Sequence, residues 1–147
     1  MNADKTNTKT AVWLNDLSEQ ALGAAFEVSN ALGGGFLEKV YQRALLHELK
    51  LRGLRTEAEV SYSVSYKGKR VGDYFADILV EDAIVIEVKC VERLSKEHFA
   101  QCLNYLRASG LSLCLLINFQ RTKLEWQRIV HEFPEQESLA VPTPGSS

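Results

Sequence analysis

The sequence predicts a single domain of the α/β or α+β class, with a mixed sheet flanked by helices. Its 147 residues suit one domain and leave little room for two. Hydrophobic residues make up 46% of the chain, which is enough to form a substantial core. The apolar period changes from helical to alternating and back, in the order helix, helix, three strands, helix, strand, strand. That order is typical of a sheet covered by helices.

Two helices are predicted before the first strand. The first runs from Asp16 to Leu32, with Asp16 as its N-cap and Glu19 placed for a capping box. The glycines at 33–35 end this helix. The second helix is predicted over 37–52, and Gly53 ends it.

The middle of the chain alternates between apolar and polar residues, as a half-buried strand does. The clearest alternation is that of Val60, Tyr62, Val64 and Tyr66. A helix rich in apolar residues at helical spacing follows the third strand. The later elements are predicted at 60–66, 70–80 and 83–90 (strands), 95–109 (helix), 111–119 and 122–131 (strands).

The two ends of the chain are expected to be disordered. Residues 1–10 are polar, and residues 134–147 contain all three prolines. The folded domain is therefore predicted to span 11–133. No apolar run reaches the length of a membrane span or resembles a signal peptide, which predicts a cytoplasmic protein without a membrane partner.

Cysteine content and net charge exclude several classes of protein. An odd number of cysteines, three, at wide spacing forms neither a disulfide framework nor a zinc motif. The net charge of −2 argues against a strongly basic nucleic-acid coat protein. An enzyme whose basic groups lie in one cleft remains compatible with it.

Polar residues inside apolar strands are the most informative chemical feature. Glu87 and Lys89 interrupt a strand that is otherwise apolar, and their spacing of two places them on one face. Asp77 lies in the preceding apolar strand. Buried charges need a partner or an ion, so these residues form either a plain salt bridge or a functional site.

The connection between these two strands decides whether Asp77 joins Glu87. A two-residue connection would place Asp77 opposite Ile86, on the other face. A three-residue connection over residues 81–83, or a bulge, would place Asp77 opposite Glu87. No glycine is present there, so a two-residue turn with two positive φ angles would be strained, which favours the longer connection.

Further candidates lie on the predicted helices. Glu38 is placed at the border of the apolar arc of the second helix, where a simple helix N-terminal charge is the alternative explanation. Gln101 and Tyr105 share one face of the third predicted helix, with His98 one turn earlier. An ordinary polar border explains them equally well.

These residues suit phosphodiester hydrolysis with a divalent metal. Mg²⁺ prefers oxygen ligands and is commonly held by one or two carboxylates together with substrate phosphate. A nearby lysine can orient water or stabilise developing negative charge. The sequence contains no phosphate-binding P-loop, no GxSxG motif and no HExxH motif.

At this point several separated segments resemble one known family. LGGGFLEKVY matches the signature of the GxxExxY proteins, with Gly35, Glu38 and Tyr41 at the named positions. The resemblance continues through VGDYFADILVEDAIVIEVKC, AQCLNYLRASG, LLINF and LEWQRIV, and it covers about 17–130. That family looks like a branch of the PD-(D/E)XK nuclease superfamily, whose core has an αβββαβ order; here an extra N-terminal helix would precede it.

The resemblance implies roles for individual residues. Asp77 would be the metal-binding Asp, Glu87 and Lys89 the (D/E)XK element, and Glu38 a helix-borne acid that completes the metal site. Mg²⁺ or Mn²⁺ would be the cofactor.

Gln101 and Tyr105 resemble the QxxxY element of exonuclease-like branches. The chain departs from the family at Ser29, where His is common, and at Cys114 and Gln120, where Gly is common.

The function expected from these residues is metal-dependent hydrolysis of nucleic acid, with DNA the favoured substrate. The alternative is a non-catalytic or partner-dependent binding or regulatory module that retains the nuclease fold. DNA or RNA, endo- or exonuclease action, and a homodimer or another protein partner all stay open. Basic residues that could contact backbone phosphates, or simply be solvated, are Lys67, Lys69, Arg70, Arg93 and Lys96.

Overall fold

The computed structural model describes residues 3–120 and 123–131. Three helices and five strands follow the predicted order. The elements are α1 (Ala3–Leu32), α2 (Glu38–Leu51), β1 (Thr56–Tyr66), β2 (Lys69–Val80), β3 (Ile84–Lys89), α3 (Lys96–Ser109), β4 (Leu113–Asn118) and β5 (Glu125–Val130). The predicted α+β class with a mixed sheet is confirmed.

The five strands form one mixed sheet in the order β1-β2-β3-β4-β5. The first three strands are connected as an antiparallel meander. β3 and β4 run parallel, and α3 provides the crossover that a parallel pair requires. β5 returns antiparallel to β4. The central parallel pair is almost completely buried, which explains the continuous apolar runs of these two strands.

Helices cover both faces of the sheet. α1 and α2 pack on one face, against apolar side chains that include Ile78, Ile86 and Leu115. α3 packs on the other face, against side chains that include Ala76, Val85 and Leu116. Alternation along β3 therefore places Glu87 and Lys89 on the α3 face, next to Val85.

The β1–β2 ladder is interrupted at the level of Glu59 and Asp77. Regular pairing holds on both sides of this position, but these two residues are not paired, and Glu59 has a φ of 56°. Ala76 packs on the α3 face, whereas Ile78, two residues later, packs on the α1–α2 face. Residues two apart in a regular strand share a face. The alternation of side chains between the two faces is therefore interrupted at Glu59 and Asp77, a position that we call the turn-over.

The N-terminal predictions need correction. The first helix begins at Ala3 rather than at Asp16, so Asp16 is an interior residue and does not cap it. Residues 3–10, predicted to be disordered, continue the helix. They contain no glycine or proline, and extending an existing helix is much easier than starting one. The predicted tail at 134–147 lies outside the described residues. No helix within the described ranges combines the length and apolarity needed to cross a membrane.

The β2–β3 connection has the predicted length of three residues, but it does not avoid positive φ angles as predicted. Residues 81–83 separate the strands, and the register follows from that odd number. Glu81 and Asp82 nevertheless have φ values of 52° and 53°, and the Ala83 N–H donates to the Val80 carbonyl at 2.9 Å. The expectation that this strain would be avoided was wrong.

Arg55 compensates for that strain from outside the hairpin. Its N–H donates to Glu81 Oε2 at 2.7 Å, and its guanidinium contacts Asp82 Oδ2 at 3.1 Å. The Glu81 N–H donates in turn to the Arg55 carbonyl at 2.8 Å. Contacts made 26 residues away in the sequence therefore hold two non-glycine residues in the left-handed region.

Candidate functional site

Asp77 and Glu87 lie opposite each other where the β2–β3 ladder ends. The last regular pair is Ile78 with Ile86, so the register brings the two acids together, as the connection length predicted. Backbone-to-side-chain bonds continue beyond this pair. The Asp77 N–H donates to Glu87 Oε2 at 3.0 Å, and the Val88 N–H donates to Asp77 Oδ2 at 2.8 Å.

Burial and mutual repulsion disfavour ionisation of both acids. Glu87 is only 2% exposed, and burial together with the charge of Asp77 raises its pKa to about 8. Burial also raises the pKa of Asp77, and the charge of Glu38 adds to the effect. The pair therefore favours a bound cation or a retained proton.

Lys89 is the last residue of β3 and is half-buried. Its positive charge lowers the pKa of both Asp77 and Glu87, although burial outweighs this effect. Within residues 3–120 and 123–131, Lys89 forms no direct ion pair with either acid. A plain Glu87–Lys89 salt bridge, the simpler explanation of the sequence, is therefore not formed.

Glu38 is the first residue of α2 and is exposed, not at the border of the core. Its charge raises the pKa of Asp77 and of Cys90, so it lies on the same side of the domain as the acid pair. Among the described residues, no group of three or more His, Cys, Asp or Glu side chains is arranged to hold a metal ion. The structure therefore brings two of the three predicted metal ligands into contact and leaves Glu38 beside them.

The other residues of the GxxExxY signature shape the loop before Glu38. Gly35 has a φ of 103°, a conformation that side chains rarely adopt. The fully buried Tyr41 donates from its hydroxyl to the Gly33 carbonyl at 2.5 Å and accepts from the Phe36 N–H at 3.3 Å. Its ring stacks on Phe119 at 4.8 Å. Gly35 and Tyr41 thus fix the start of α2 and with it the position of Glu38.

Gln42 is a buried residue that the sequence analysis missed. It is 5% exposed, and its amide donates to the Asp77 carbonyl at 3.0 Å. One turn earlier on α2, Lys39 forms an ion pair with Glu59, the residue at the turn-over of β1. α2 therefore holds the irregular rung that carries Asp77. The available signal was a glutamine in line with Leu45 and Leu49 on the apolar face.

Tyr105 connects α3 to the acid pair. It is 4% exposed, and its hydroxyl donates a hydrogen bond to the Glu87 carboxylate, which partly offsets the rise in the pKa of Glu87. The Gln101 amide donates to the Tyr105 hydroxyl at 3.4 Å. The prediction that this helix face borders the Glu87 end of β3 agrees with these contacts. His98 has a different task, since its Nδ1 accepts from the Ser95 N–H at 3.0 Å in a capping box.

Asn118, also missed, organises the segment after Lys89. It is fully buried, accepts from the Val91 N–H at 3.0 Å and donates to the Val91 carbonyl at 2.7 Å. Its amide also donates to Glu125 Oε1 at 2.9 Å. A polar residue at the end of the apolar run LCLLIN was the signal.

The five basic residues predicted to contact phosphate lie on two separate segments. Lys67, Lys69 and Arg70 are at the tip of the β1–β2 hairpin, whereas Arg93 and Lys96 precede or begin α3. Arg70 is already paired with Asp73 at 2.5 Å, and Lys67 lies 5.3 Å from the centre of the Tyr66 ring. All three cysteines are free thiols, as expected.

Comparisons with known proteins agree with this fold. The crystal structure of the protein SSO0001 superposes with a TM-score of 0.52 and 21% identity, over 68% of this chain and 52% of that chain. The present chain thus spans about half the length of that protein. An alkaline exonuclease (LHK-Exo) from Laribacter hongkongensis gives a TM-score of 0.42 and 14% identity over 79% of each chain.

No curated protein matches the chain. The sequence pattern of the PD-(D/E)XK nuclease superfamily, however, matches residues 15–129, which include the acid pair and all of the sheet except the last residue of β5. Within that superfamily, the GxxExxY family stays a resemblance carried by Gly35, Glu38 and Tyr41. The chain belongs to the PD-(D/E)XK nuclease superfamily.

Proposed function

We propose that this protein is a divalent-metal-dependent nuclease that hydrolyses phosphodiester bonds of nucleic acid, with DNA as its substrate and the cytoplasm as its location. One observation carries the proposal: Asp77 and Glu87 face each other across the end of a hairpin, with Lys89 on the same strand as Glu87. Superfamily membership supports the reaction class.

The donor set of the acid pair fits Mg²⁺ or Mn²⁺. One oxygen of each carboxylate accepts a backbone N–H, which fixes both carboxylates, and the Tyr105 hydroxyl also donates to the Glu87 carboxylate. The raised pKa values of both groups indicate that a cation would relieve an unfavourable concentration of negative charge. Mg²⁺ is usually held by one or two carboxylates, with water and substrate phosphate as the remaining ligands. Asp77 and Glu87 would hold the ion, and Glu38 would contribute from the start of α2.

A bound divalent ion supplies Lewis acidity toward the phosphoryl oxygens and lowers the pKa of water. The residues of the chain provide orientation and charge. The half-buried Lys89 would stabilise negative charge that develops on the phosphoryl group. Tyr105 holds the Glu87 carboxylate, and Gln42 holds the backbone that carries Asp77.

A binding or regulatory module is the second candidate, and one observation favours it. Glu38 is exposed and does not form a three-acid cluster with the pair. In this alternative the acids bind a cation for stability, and the chain does no chemistry without a partner.

A cleavage assay separates the two candidates. Labelled single- and double-stranded DNA and RNA are incubated with wild type and with Lys89→Ala, in Mg²⁺, Mn²⁺ or EDTA. We expect cleavage by wild type with either metal, none in EDTA, and cleavage slowed about 100- to 1000-fold by Lys89→Ala. Activity retained at the wild-type rate by Lys89→Ala would indicate a contaminating nuclease, and binding without any cleavage would favour the module.

A further inference from the structure

A groove lies on the α3 face of the sheet. It has a volume of about 520 Å³ and runs between the outer half of the β1–β2 hairpin and the second half of α3. Its lining includes Ser65, Gly72 and Tyr74 from the hairpin, and Asn104 and Arg107 from α3. The hairpin carries a register shift between Val64 and Ser65 at this place, a feature that locally bends a strand.

Two aromatic rings connect this groove to the acid pair. Tyr105, whose hydroxyl contacts Glu87, packs against Tyr74 with ring centres 5.6 Å apart and an angle of 79°. Tyr74 in turn lines the groove. The groove and the acid pair are therefore joined by two packed side chains on the same face of the sheet.

The chemistry of the lining fits a nucleotide. Arg107 is exposed and, within the described part of the chain, forms no ion pair. Asn104 and Ser65 offer polar groups, and the half-buried Tyr74 offers an aromatic surface. Asp73, between the lining residues Gly72 and Tyr74, is paired with Arg70 at 2.5 Å and accepts from the Ser63 hydroxyl at 3.0 Å. The groove thus combines a free cation with an aromatic ring, the pair of features that binds single strands.

We propose that this groove binds a single-stranded segment of the substrate next to the phosphate that is cleaved. Arg107 contacts a backbone phosphate, and Tyr74 contacts a base. This assignment rests on the proposed nuclease function, because that function places the reacting phosphate at Asp77 and Glu87.

The test measures binding and cleavage separately. Fluorescence anisotropy follows a labelled oligodeoxythymidylate in EDTA, at several salt concentrations, with wild type, Arg107→Gln and Lys50→Gln. Lys50 is the matched control, because it is the basic residue in the last turn of α2 as Arg107 is in that of α3. Hydrolysis of bis(p-nitrophenyl) phosphate with Mn²⁺ reports on the acid pair without occupying the groove.

We expect Arg107→Gln to weaken oligonucleotide binding about 5- to 10-fold and to reduce the salt slope by about 0.7, the contribution of one phosphate on a single strand. Lys50→Gln should match wild type, and all three proteins should hydrolyse the small diester equally. If all three proteins bind the oligonucleotide equally and still cleave, the groove does not bind the substrate, whereas the nuclease proposal is unaffected. An equal loss on blunt duplex DNA would overturn the single-strand assignment. If Arg107→Gln binds more weakly but none of the three proteins cleaves, the groove binds nucleic acid and the proposed nuclease activity is contradicted.

Discussion

The backbone N–H of Asp77 donates a hydrogen bond to the side chain of Glu87 at 3.0 Å, in the position where the next rung of the β2–β3 ladder would lie. The Val88 N–H makes the reciprocal contact to the Asp77 carboxylate at 2.8 Å. Two acids are thus fixed by backbone donors within a buried part of the sheet. Their geometry is set in advance, and their charges repel, so the pair is ready for a cation.

The stability of the metal-free protein should fall as pH rises, because of Glu87. Its pKa is raised from the usual 4.5 to about 8, so the folded state binds more protons than the unfolded state between these values. The contribution of Glu87 to the free energy of unfolding is fully present below pH 4.5 and is lost as the pH rises through about 8. In thermal melts in EDTA, the melting temperature of Glu87→Gln should rise relative to that of wild type as pH increases across this range. The exposed Glu27→Gln is the control, and parallel pH curves for all three proteins would contradict the assignment.

Divalent ions should stabilise wild type and not the acid variants. Binding only to the folded state at 100 times the dissociation constant contributes about 2.7 kcal/mol. We expect Mn²⁺ to raise the melting temperature of wild type, and Asp77→Asn and Glu87→Gln to lose this shift. Glu38→Gln should keep part of it, because Glu38 acts on Asp77 through its charge and lies outside the contacting pair. If Mn²⁺ raised the melting temperatures of wild type and of both acid variants equally, Asp77 and Glu87 would not form the metal site.

Lys89→Ala should separate metal binding from cleavage. The ammonium forms no direct ion pair with the acids in the described chain, so its loss should leave the Mn²⁺ shift largely intact. Loss of a donor to developing charge typically lowers rates about 100- to 1000-fold. Single-turnover cleavage measures this, with Lys50→Ala, at an exposed lysine of α2, as control. A parallel loss of metal binding would make Lys89 a structural residue.

Tyr105→Phe should shift the pH dependence of metal binding. The hydroxyl hydrogen bond lowers the pKa of Glu87, so its removal should raise that pKa further. Metal binding requires the ionised carboxylate, and the midpoint of the Mn²⁺ effect should therefore move to higher pH. The ring contact with Tyr74 is retained, so melting in EDTA at low pH should be near wild type. Tyr66→Phe, at an exposed ring, should leave the midpoint unchanged, and so would Tyr105→Phe if the hydroxyl had no role.

Asn118→Ala should destabilise the fold and disturb the segment after Lys89. The buried amide bonds both backbone groups of Val91 and the Glu125 carboxylate. Leaving such groups unpaired costs about 2–3 kcal/mol in the free energy of unfolding. Urea denaturation measures this, with the exposed Gln127→Ala as control on β5. A loss below that of Gln127→Ala would mean that water replaces these bonds.

The order of the helices and strands and the opposition of Asp77 and Glu87 could be predicted from the sequence. Both depend on local quantities, namely the apolar period and the odd number of residues between two strands. Those quantities do not change when the chain folds. Glu87 and Lys89 share a face for the same reason.

Predictions from the local sequence were less accurate where residues distant in the sequence contribute. The strain expected at Glu81 and Asp82 is present, yet Arg55 offsets it with contacts that no local pattern contains. The start of α1 was misplaced because a good capping residue, Asp16, lies within a helix that begins earlier.

The side chains that support the two acids could not be identified without the packing of the helices on the sheet. The turn-over at Glu59 and Asp77 and the contact of Gln42 with the Asp77 backbone require α2 to pack on the sheet. The Tyr105–Glu87 contact and the groove at Arg107 require α3 to cross the opposite face. The physical reason is that these interactions join residues far apart in the sequence. Their energies depend on burial and distance, which the packing of the helices on the sheet determines.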